Sequence, residues 1–263
     1  MKYHSDALAA GCIMSRPPSA SDCSTDSKSD CSPLRDCLHC SVRHLAVCSA
    51  LSADEVQALE RVTVSMEVDS GATLARSGED RLHVYTLTEG ALRLVRTLAD
   101  GRRLVTGFVL PGDYVGLSQS DTYRFDIEAI ADSRVCRVGV PQMRELRLRY
   151  PHLERKLLQR ACQELDAAQD AALALGRMQP PEKLADFLLR LADRQARFSG
   201  PSDRITLAMG RSDIADHLGL TMETVSRTFT KLRQAGLIAL PHLTTVEILD
   251  RAGLELLASE GAD

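Results

Sequence analysis

The chain has 263 residues, of which 44% are hydrophobic and 26% charged, and its formal net charge is −4 at pH 7. It contains no long uncharged apolar run, which excludes a membrane-spanning helix, and its length suits roughly two domains plus a tail. DNA-binding domains are usually basic, so the composition does not by itself indicate a nucleic-acid partner. Any such assignment requires a motif.

The N-terminus and the eight cysteines bear on the cellular compartment. Residues 1–20 show neither a basic start before an apolar core nor an Arg-rich amphipathic pattern. We therefore expect no targeting signal, a cytoplasmic location and no membrane partner. In that reducing compartment, clustered cysteines indicate metal ligands or redox centres rather than disulfides.

The first elements in chain order are a tail and a short helix. Residues 1–33 are rich in Ser, Asp, Pro and Cys without apolar periodicity, which is typical of a disordered tail. A short helix is expected from Leu51, because Ser52 can cap it and Glu55 completes a capping box.

A small β-structure follows the short helix. Between Thr63 and Val140, short β-branched stretches alternate with turns that contain glycine. This pattern predicts an antiparallel barrel or roll, and Asp100-Gly101 is its clearest hairpin turn.

The pattern changes to a helical period after Pro141. We expect a helix near 141–148, a break at Tyr150-Pro151, and a long helix to about Met178 that Pro180-Pro181 ends. Apolar residues recur along it at spacings of three and four, as in the seam of a two-stranded coiled coil. An alternative is that this stripe packs on the roll of its own chain. We call these six positions the seam: Leu158, Ala161, Leu165, Ala168, Ala172 and Leu175.

Residues 211–238 have the spacing of a helix-turn-helix, with a turn at Gly219-Leu220-Thr221. The two strands that follow are predicted to form a wing, and we expect them to be joined around Pro241-His242. The first helix packs through Ile214, Ala215 and Leu218, and the second through Val225, Phe229 and Leu232. The alternative is a purely structural three-helix unit whose polar face is solvated. The nearly balanced charge of residues 203–236 supports this alternative.

The outer face of the second helix carries side chains that suit base reading. Arg227 could bind guanine through two hydrogen bonds, Glu223 could accept from cytosine, and Ser226 could bond a base or a phosphate. Thr230 lies on the same face, and Thr221 is expected to cap the helix.

This order of parts resembles the Crp/Fnr superfamily of bacterial regulators, and specifically its oxygen-sensing FNR branch, over roughly residues 37–250. The segment GLTMETVSR is similar to the branch's recognition-helix signature, so the resemblance implies that Glu223, Ser226 and Arg227 contact bases. PGDYVGL at 111–117 and the strand ending at Val135-Cys136 are also similar.

The resemblance implies an α+β fold, with an N-terminal antiparallel β-roll of the cyclic-nucleotide-binding type, a long dimerisation helix and a C-terminal winged helix-turn-helix. It implies a homodimer that reads a palindrome like TTGAT-N4-ATCAA and works with RNA polymerase, and it implies no enzyme activity. We divide the chain into a tail (1–33), a ligand loop and sensor roll (34–140), a dimerisation helix (141–179) and a DNA-binding domain (180–263).

Cyclic nucleotides are not expected to bind. The superfamily's cyclic-nucleotide members use a Glu and an Arg-Ser/Thr pair for the ribose and phosphate. In the equivalent segment here, residues 116–128, Arg124 is followed by Phe125.

The resemblance also implies a [4Fe–4S] cluster on Cys37, Cys40, Cys48 and Cys136. Three of these lie in the spacing Cys-x2-Cys-x7-Cys, and iron in such clusters takes four thiolates. Zinc suits four thiolates equally well, and direct thiol redox switching is a further alternative. A metal-dependent enzyme is a reading from another class, but no catalytic motif at a recognisable spacing supports it.

The remaining cysteines receive other roles. Cys12, Cys23 and Cys31 are expected to be free thiols in the tail, with Cys31 a substitute candidate for Cys37, and Cys162 is expected to be a small buried residue. His39 is expected to be solvated or to lie beside the ligands.

The seam suggests how a cofactor could control the protein. Three of its positions are alanine, which removes several kcal/mol of dimer stability at ~0.8 kcal/mol per buried CH₂. Acidic Glu164, Asp166 and Asp170 nearby add repulsion or solvate the helix. A cluster that orders the base of the long helix would favour the dimer and so DNA binding, and oxygen would dismantle it. Nitric oxide would react with the same cluster.

Overall fold

The computed structural model describes residues 37–259. The predicted tail, with Cys12, Cys23 and Cys31, lies outside these residues. Two short 3₁₀ turns, Cys37–His39 and Val47–Ala50, precede helix α1, Ala53–Glu60. The predicted capping box is confirmed, because the Ser52 side chain accepts from the Glu55 amide (3.4 Å) and the Glu55 carboxylate accepts from the Ser52 amide (2.8 Å).

The predicted roll is confirmed as two four-stranded antiparallel sheets in the orders β1-β8-β3-β6 and β2-β7-β4-β5. The predicted hairpin turn lies between β4 and β5, where Gly101 has a φ of 86° that glycine tolerates without strain. The strands are β1 Thr63–Val68, β2 Thr73–Ala75, β3 His83–Glu89, β4 Leu92–Thr97, β5 Arg103–Val109, β6 Tyr114–Val115, β7 Asp126–Ala129 and β8 Ser133–Gly139.

Strand β8 has two packed faces, and their alternation places Cys136. Val135 lies in the interior cluster of the roll with Leu87 and Leu92, whereas Val138 belongs to a second cluster, which also contains Val47 from the segment before α1. Side chains two positions apart on a strand share a face, so Cys136 lies on the outer face with Val138.

Helix α2 spans Val140–Arg149 and helix α3 spans Pro151–Arg177. Tyr150 between them has a non-helical backbone (φ −124°, ψ 88°), because the α region is disfavoured for a residue before proline. Pro180 not only follows the end of α3 but also begins a further helix, α4, Pro180–Ser199, which the sequence analysis did not predict. Proline is favourable in the first turn of a helix.

The predicted helix-turn-helix consists of α5, Arg211–Leu218, and α6, Met222–Gln234. The wing contains three strands instead of two, in the order β10-β11-β9, and helix α7, Arg251–Ser259, follows it. The predicted wing turn at Pro241-His242 is wrong, because both residues belong to β10 and the chain turns at 243–244. Strand β10 lies at the sheet edge, where proline removes no ladder hydrogen bond. The strands are β9 Arg204–Thr206, β10 Ile238–His242 and β11 Thr245–Ile248.

One apolar core joins the roll to the helix-turn-helix. Phe108 of β5 lies 6.1 Å from the ring of Phe187 and 5.2 Å from that of His217. Burial lowers the pKa of His217, and its Nδ1 lies 2.9 Å from the Val105 carbonyl oxygen. The neutral His217 ring therefore holds α5 against strand β5 of the roll.

A buried lysine joins two helix ends. Lys183 Nζ donates to the carbonyl oxygen of Leu175 near the end of α3, and to that of Leu218 at the end of α5, both at 3.3 Å. Helix C-termini leave such carbonyls without partners, so one ammonium group satisfies both ends. Within residues 37–259, no helix is long and apolar enough to cross a membrane.

Candidate functional site

The ligand loop, residues 37–48, is a compact segment held by apolar anchors. Val42, Ala46 and Val47 are buried, and the Ala46 amide donates to the Val42 carbonyl (3.1 Å). The backbone amide of Cys37 donates to Glu60 at the end of α1 (3.1 Å). Val47 also belongs to the apolar cluster that contains Val138 of β8, so the loop lies at the outer face of the sheet.

The four predicted ligand cysteines come together at this face. Burial first, and then the charges of Cys40, Cys136 and Cys37, raise the pKa of Cys48 to about 12. The Cys48 thiol therefore lies within electrostatic reach of the other three, and all four are half-buried. Across the described part of the chain, no three His, Cys, Asp or Glu side chains form a site for a single metal ion.

Four neighbouring thiols suit a cationic metal group chemically. Burying a thiolate and placing others beside it are both costly without positive charge, and these two causes, burial first, raise the pKa of Cys48. A metal group supplies that charge and binds the deprotonated sulfurs, so loading releases protons. The donor set thus fits the group that the sequence predicts.

Arg43 is a feature of the site that the sequence analysis missed. Its Nη2 donates to the Leu51 carbonyl oxygen (2.7 Å), and its positive charge lowers the pKa of Cys48. Its buried Nε finds no hydrogen-bond partner within residues 37–259. Its place in the chain, between Cys40 and Cys48, was the available signal. A guanidinium here offsets negative charge on the thiolates.

Two other predicted side chains lie outside the thiol group. Cys162 is exposed on α3, so its prediction as a small buried residue is wrong. It follows the seam position Ala161 in the sequence. His39 is exposed between its two cysteine neighbours.

The ligand loop also rests on a turn of the roll. Gly112 has a φ of +92°, and a Cβ built on it would lie 2.5 Å from Leu45 Cβ. Glycine is required there twice, once for the backbone conformation and once for the close approach of the loop.

We expect Gly112→Ala to destabilise the fold more than Gly101→Ala. Both changes force alanine into a left-handed conformation, at about 1–2 kcal/mol each. Only position 112 adds a collision, because no described atom lies within 4 Å of a Cβ at Gly101. Overpacking adds about 1–3 kcal/mol, which urea unfolding would measure. Equal losses would show that Leu45 does not press on this turn.

The helix that the sequence assigns to DNA presents the predicted side chains outward. Thr221 caps α6 as predicted, because its hydroxyl accepts from the Thr224 amide (3.1 Å). Glu223 and Arg227 are exposed and form an ion pair with each other (2.5 Å). Ser226 is exposed, and its hydroxyl donates to the Met222 carbonyl (2.9 Å).

Thr230 lies one turn further along α6 and is half-buried, with its hydroxyl donating to Ser226 O (3.1 Å). The opposite face of α6 is buried through the three predicted residues Val225, Phe229 and Leu232. This division leaves a polar surface at the N-terminal half of α6, which is the part of a recognition helix that reaches base edges.

Five of the six seam positions are exposed in the single chain, and Ala161 is half-buried. Leu153 and Leu157, in the first turns of α3, are buried against the roll, whereas Leu158 is 63% and Leu165 58% exposed. The alternative that the seam packs on its own roll is therefore wrong. Asp170, one of the acidic residues beside the seam, pairs with Arg190 of α4 (3.0 Å).

An antiparallel roll, a long helix and a winged helix-turn-helix in this order define a DNA-binding regulator. Residues 65–150 match the cyclic nucleotide-binding domain family, and residues 182–257 match the Crp-like helix-turn-helix domain. The chain belongs to the Crp/Fnr family of transcription regulators, as the sequence predicted. Members of this family bind DNA, typically form dimers and are not enzymes.

Individual relatives support this membership. The chain is 40% identical to the nitrogen fixation regulation protein FixK of Bradyrhizobium diazoefficiens over 223 residues, which is 85% of this chain and 94% of that protein. It is 35% identical to the transcriptional activator protein FnrL of Cereibacter sphaeroides over 88% and 94% of the two chains. The structure of FixK2 from Bradyrhizobium japonicum superposes with a TM-score of 0.70 at 32% identity, over 74% of this chain and 97% of that one.

Proposed function

We propose that the chain is an oxygen- and redox-responsive transcription regulator. A [4Fe–4S] cluster on Cys37, Cys40, Cys48 and Cys136 promotes homodimerisation and binding to a palindrome like TTGAT-N4-ATCAA under low oxygen. The observation that supports the proposal is that Cys37 and Cys48 pack against one apolar cluster, and that Cys40, Cys136 and Cys37 are near enough to raise the pKa of Cys48, in a chain with a Crp-like helix-turn-helix. When bound, the cluster supplies a redox-active centre that oxygen destroys.

The ligand loop is built into the base of the dimerisation helix. Val47 and Leu51 share one apolar cluster with Leu153 and Leu157 of α3, and Cys37 and Cys48 pack against its edge. A second contact joins His152 of α3 to Glu55 of α1 (2.9 Å). Ordering the loop therefore stabilises the first turns of α3, and loosening the loop releases them.

The seam supplies the equilibrium on which the loop acts. Its alanines bury little apolar surface between two copies of α3, so the dimer is marginal without further support. A marginal equilibrium responds to a modest change at the ligand loop, which is what a switch requires. RNA polymerase and double-stranded DNA are the partners that the proposal implies.

Ala168→Leu should strengthen dimerisation without any cofactor. Each added carbon contributes about 0.8 kcal/mol when buried, so the dimer dissociation constant of the air-exposed protein should fall at least about tenfold. Sedimentation equilibrium would measure the change. The matched control is Ala167→Leu, which adds the same carbons at an exposed position beside the seam and should leave dimerisation unchanged. A similar effect of both variants would place the contact elsewhere.

No cyclic nucleotide is part of the proposal, although the roll belongs to that domain family. Arg124, the arginine of segment 116–128, is exposed, and the Glu128 carboxylate forms ion pairs with Arg93 (2.7 Å) and Arg103 (2.9 Å).

The decisive experiment measures iron, acid-labile sulfide and zinc in protein purified without oxygen, followed by an air titration of the absorption spectrum alongside DNA binding. The expected result is iron and sulfide at cluster stoichiometry, with the thiolate-to-iron absorption and DNA affinity lost together. Zinc without iron, or DNA binding that depends on thiol reagents in a metal-free protein, would establish the zinc or thiol-switch alternative.

A further inference from the structure

Three parts of the chain meet at one carboxylate. Asp113 follows Gly112 in the turn between β5 and β6. Its Oδ1 accepts from Arg160 of α3, and its Oδ2 accepts from Arg194 of α4 and from the Leu110 amide (2.8 Å). The roll, the long helix and the first helix of the DNA-binding domain are thus tied to a single side chain.

The three side chains in these contacts are partly shielded from solvent. The side chains of Asp113 and Arg160 are 22% and 19% exposed, and Arg194 is 35% exposed. Arg194 also donates to the Phe108 carbonyl oxygen (2.8 Å), so both of its contacts fix α4 on the same strand end. Charge-assisted bonds of this kind are stronger and more directional than neutral ones.

The ligand loop touches the same junction from its other side. Leu45 lies against Gly112, the residue before Asp113. His44 Nε2 lies 3.4 Å from the Arg197 carbonyl oxygen, one turn beyond Arg194 on α4. A shift of the loop would therefore displace the turn that holds both arginines.

We propose that Asp113 is the positioning residue that couples the ligand loop and α3 to the orientation of the DNA-binding domain. Helix α4 shares its apolar core with the recognition helix α6, so fixing α4 also fixes the surface that meets DNA. The coupling of α3 to α4 stands on the contacts alone, whereas the part played by the ligand loop rests on the proposed function. Without the carboxylate, two half-buried guanidinium groups would face each other and repel.

The test compares Asp113→Asn with the wild-type chain, both prepared without oxygen. DNA affinity for the palindrome, iron content and dimerisation are measured on the same samples. We expect the affinity to fall by about 5- to 150-fold, the usual range for coupled sites, with iron content and dimerisation unchanged. The matched control is Asp100→Asn, which removes an exposed carboxylate paired with Arg102 (2.8 Å) and should leave all three readouts unchanged.

A double-mutant cycle separates coupling from a general loss of stability. Arg194→Gln alone should weaken DNA binding. In the Asp113→Asn chain the same change should weaken it much less, because the contact with Asp113 is already lost and only the bond to the Phe108 carbonyl oxygen remains to be removed. Additive losses, or a loss of iron or of dimer that accounts for the weaker binding, would overturn the proposal.

The contribution of the ligand loop is measured by the ratio of the DNA affinities with and without cofactor. This ratio should shrink towards one in Asp113→Asn. If wild-type protein contains no iron, the proposed function fails, yet the affinity comparison and the cycle still decide whether Asp113 couples α3 to α4. If wild type contains iron and the ratio is unchanged in Asp113→Asn, the coupling to the loop is refuted while the proposed function stands.

Discussion

Cys48→Ser should leave the protein without iron and without high-affinity DNA binding. Cys48 is the thiol whose pKa the other three raise, and a hydroxyl is a poor substitute for thiolate at iron. Iron and sulfide should fall to background in anaerobically purified protein, and affinity for the palindrome should fall by at least about tenfold, within the range of coupled sites.

The matched control for this prediction is Cys162→Ser, a change of the same atoms at an exposed position on α3. It should keep the iron content, the spectrum and the DNA affinity of the wild type. Full iron content in Cys48→Ser would remove Cys48 from the ligand set, and undiminished DNA binding by the iron-free variant would separate the cofactor from DNA recognition.

Arg227→Ala should sharply reduce discrimination between the palindrome and unrelated DNA. A bidentate contact to guanine contributes about 1–3 kcal/mol of discrimination, and a homodimer loses that contribution in both half-sites. The Glu223–Arg227 pair is highly exposed on both sides, so releasing the arginine to a base costs less than about 1 kcal/mol. Binding titrations on the palindrome and on a scrambled duplex at one salt concentration would measure the change.

Arg233→Ala serves as the control on the same helix. Arg233 is exposed in the last turn of α6, away from the end that reaches bases. Its loss should weaken binding to both duplexes alike, as expected for a phosphate contact. A uniform loss in Arg227→Ala as well would assign Arg227 to the phosphate backbone instead of the bases.

The sequence predicted those features that depend on neighbouring residues. The capping box of α1 involves Ser52 and Glu55, three positions apart, and the packing face of α6 follows from one helical period. The break before Pro151 likewise depends on local sterics. Such features can be derived because each residue's partners lie within one or two turns of it.

What the sequence did not predict depends on distant partners. Asp113 contacts Arg160 and Arg194, which lie 47 and 81 positions further along the chain, and no local pattern marks these contacts. Cys162 was misjudged because a small residue beside an apolar seam reads as buried, whereas in the single chain that side of α3 is open. Cys136 was predicted as a ligand from a family resemblance, and the alternation of side chains along β8 accounts for its position on the outer face.

Lys183 has a consequence for the DNA sequence that the protein can recognise. A symmetric dimer must hold its two reading helices about 34–36 Å apart, one turn of the double helix, to fit both halves of a palindrome. The side chain of Lys183 joins the end of α3 to the end of α5. In the proposed homodimer on a palindrome, this contact would help to set the angle between the dimerisation helix and each DNA-binding domain, and with it the number of base pairs between the half-sites.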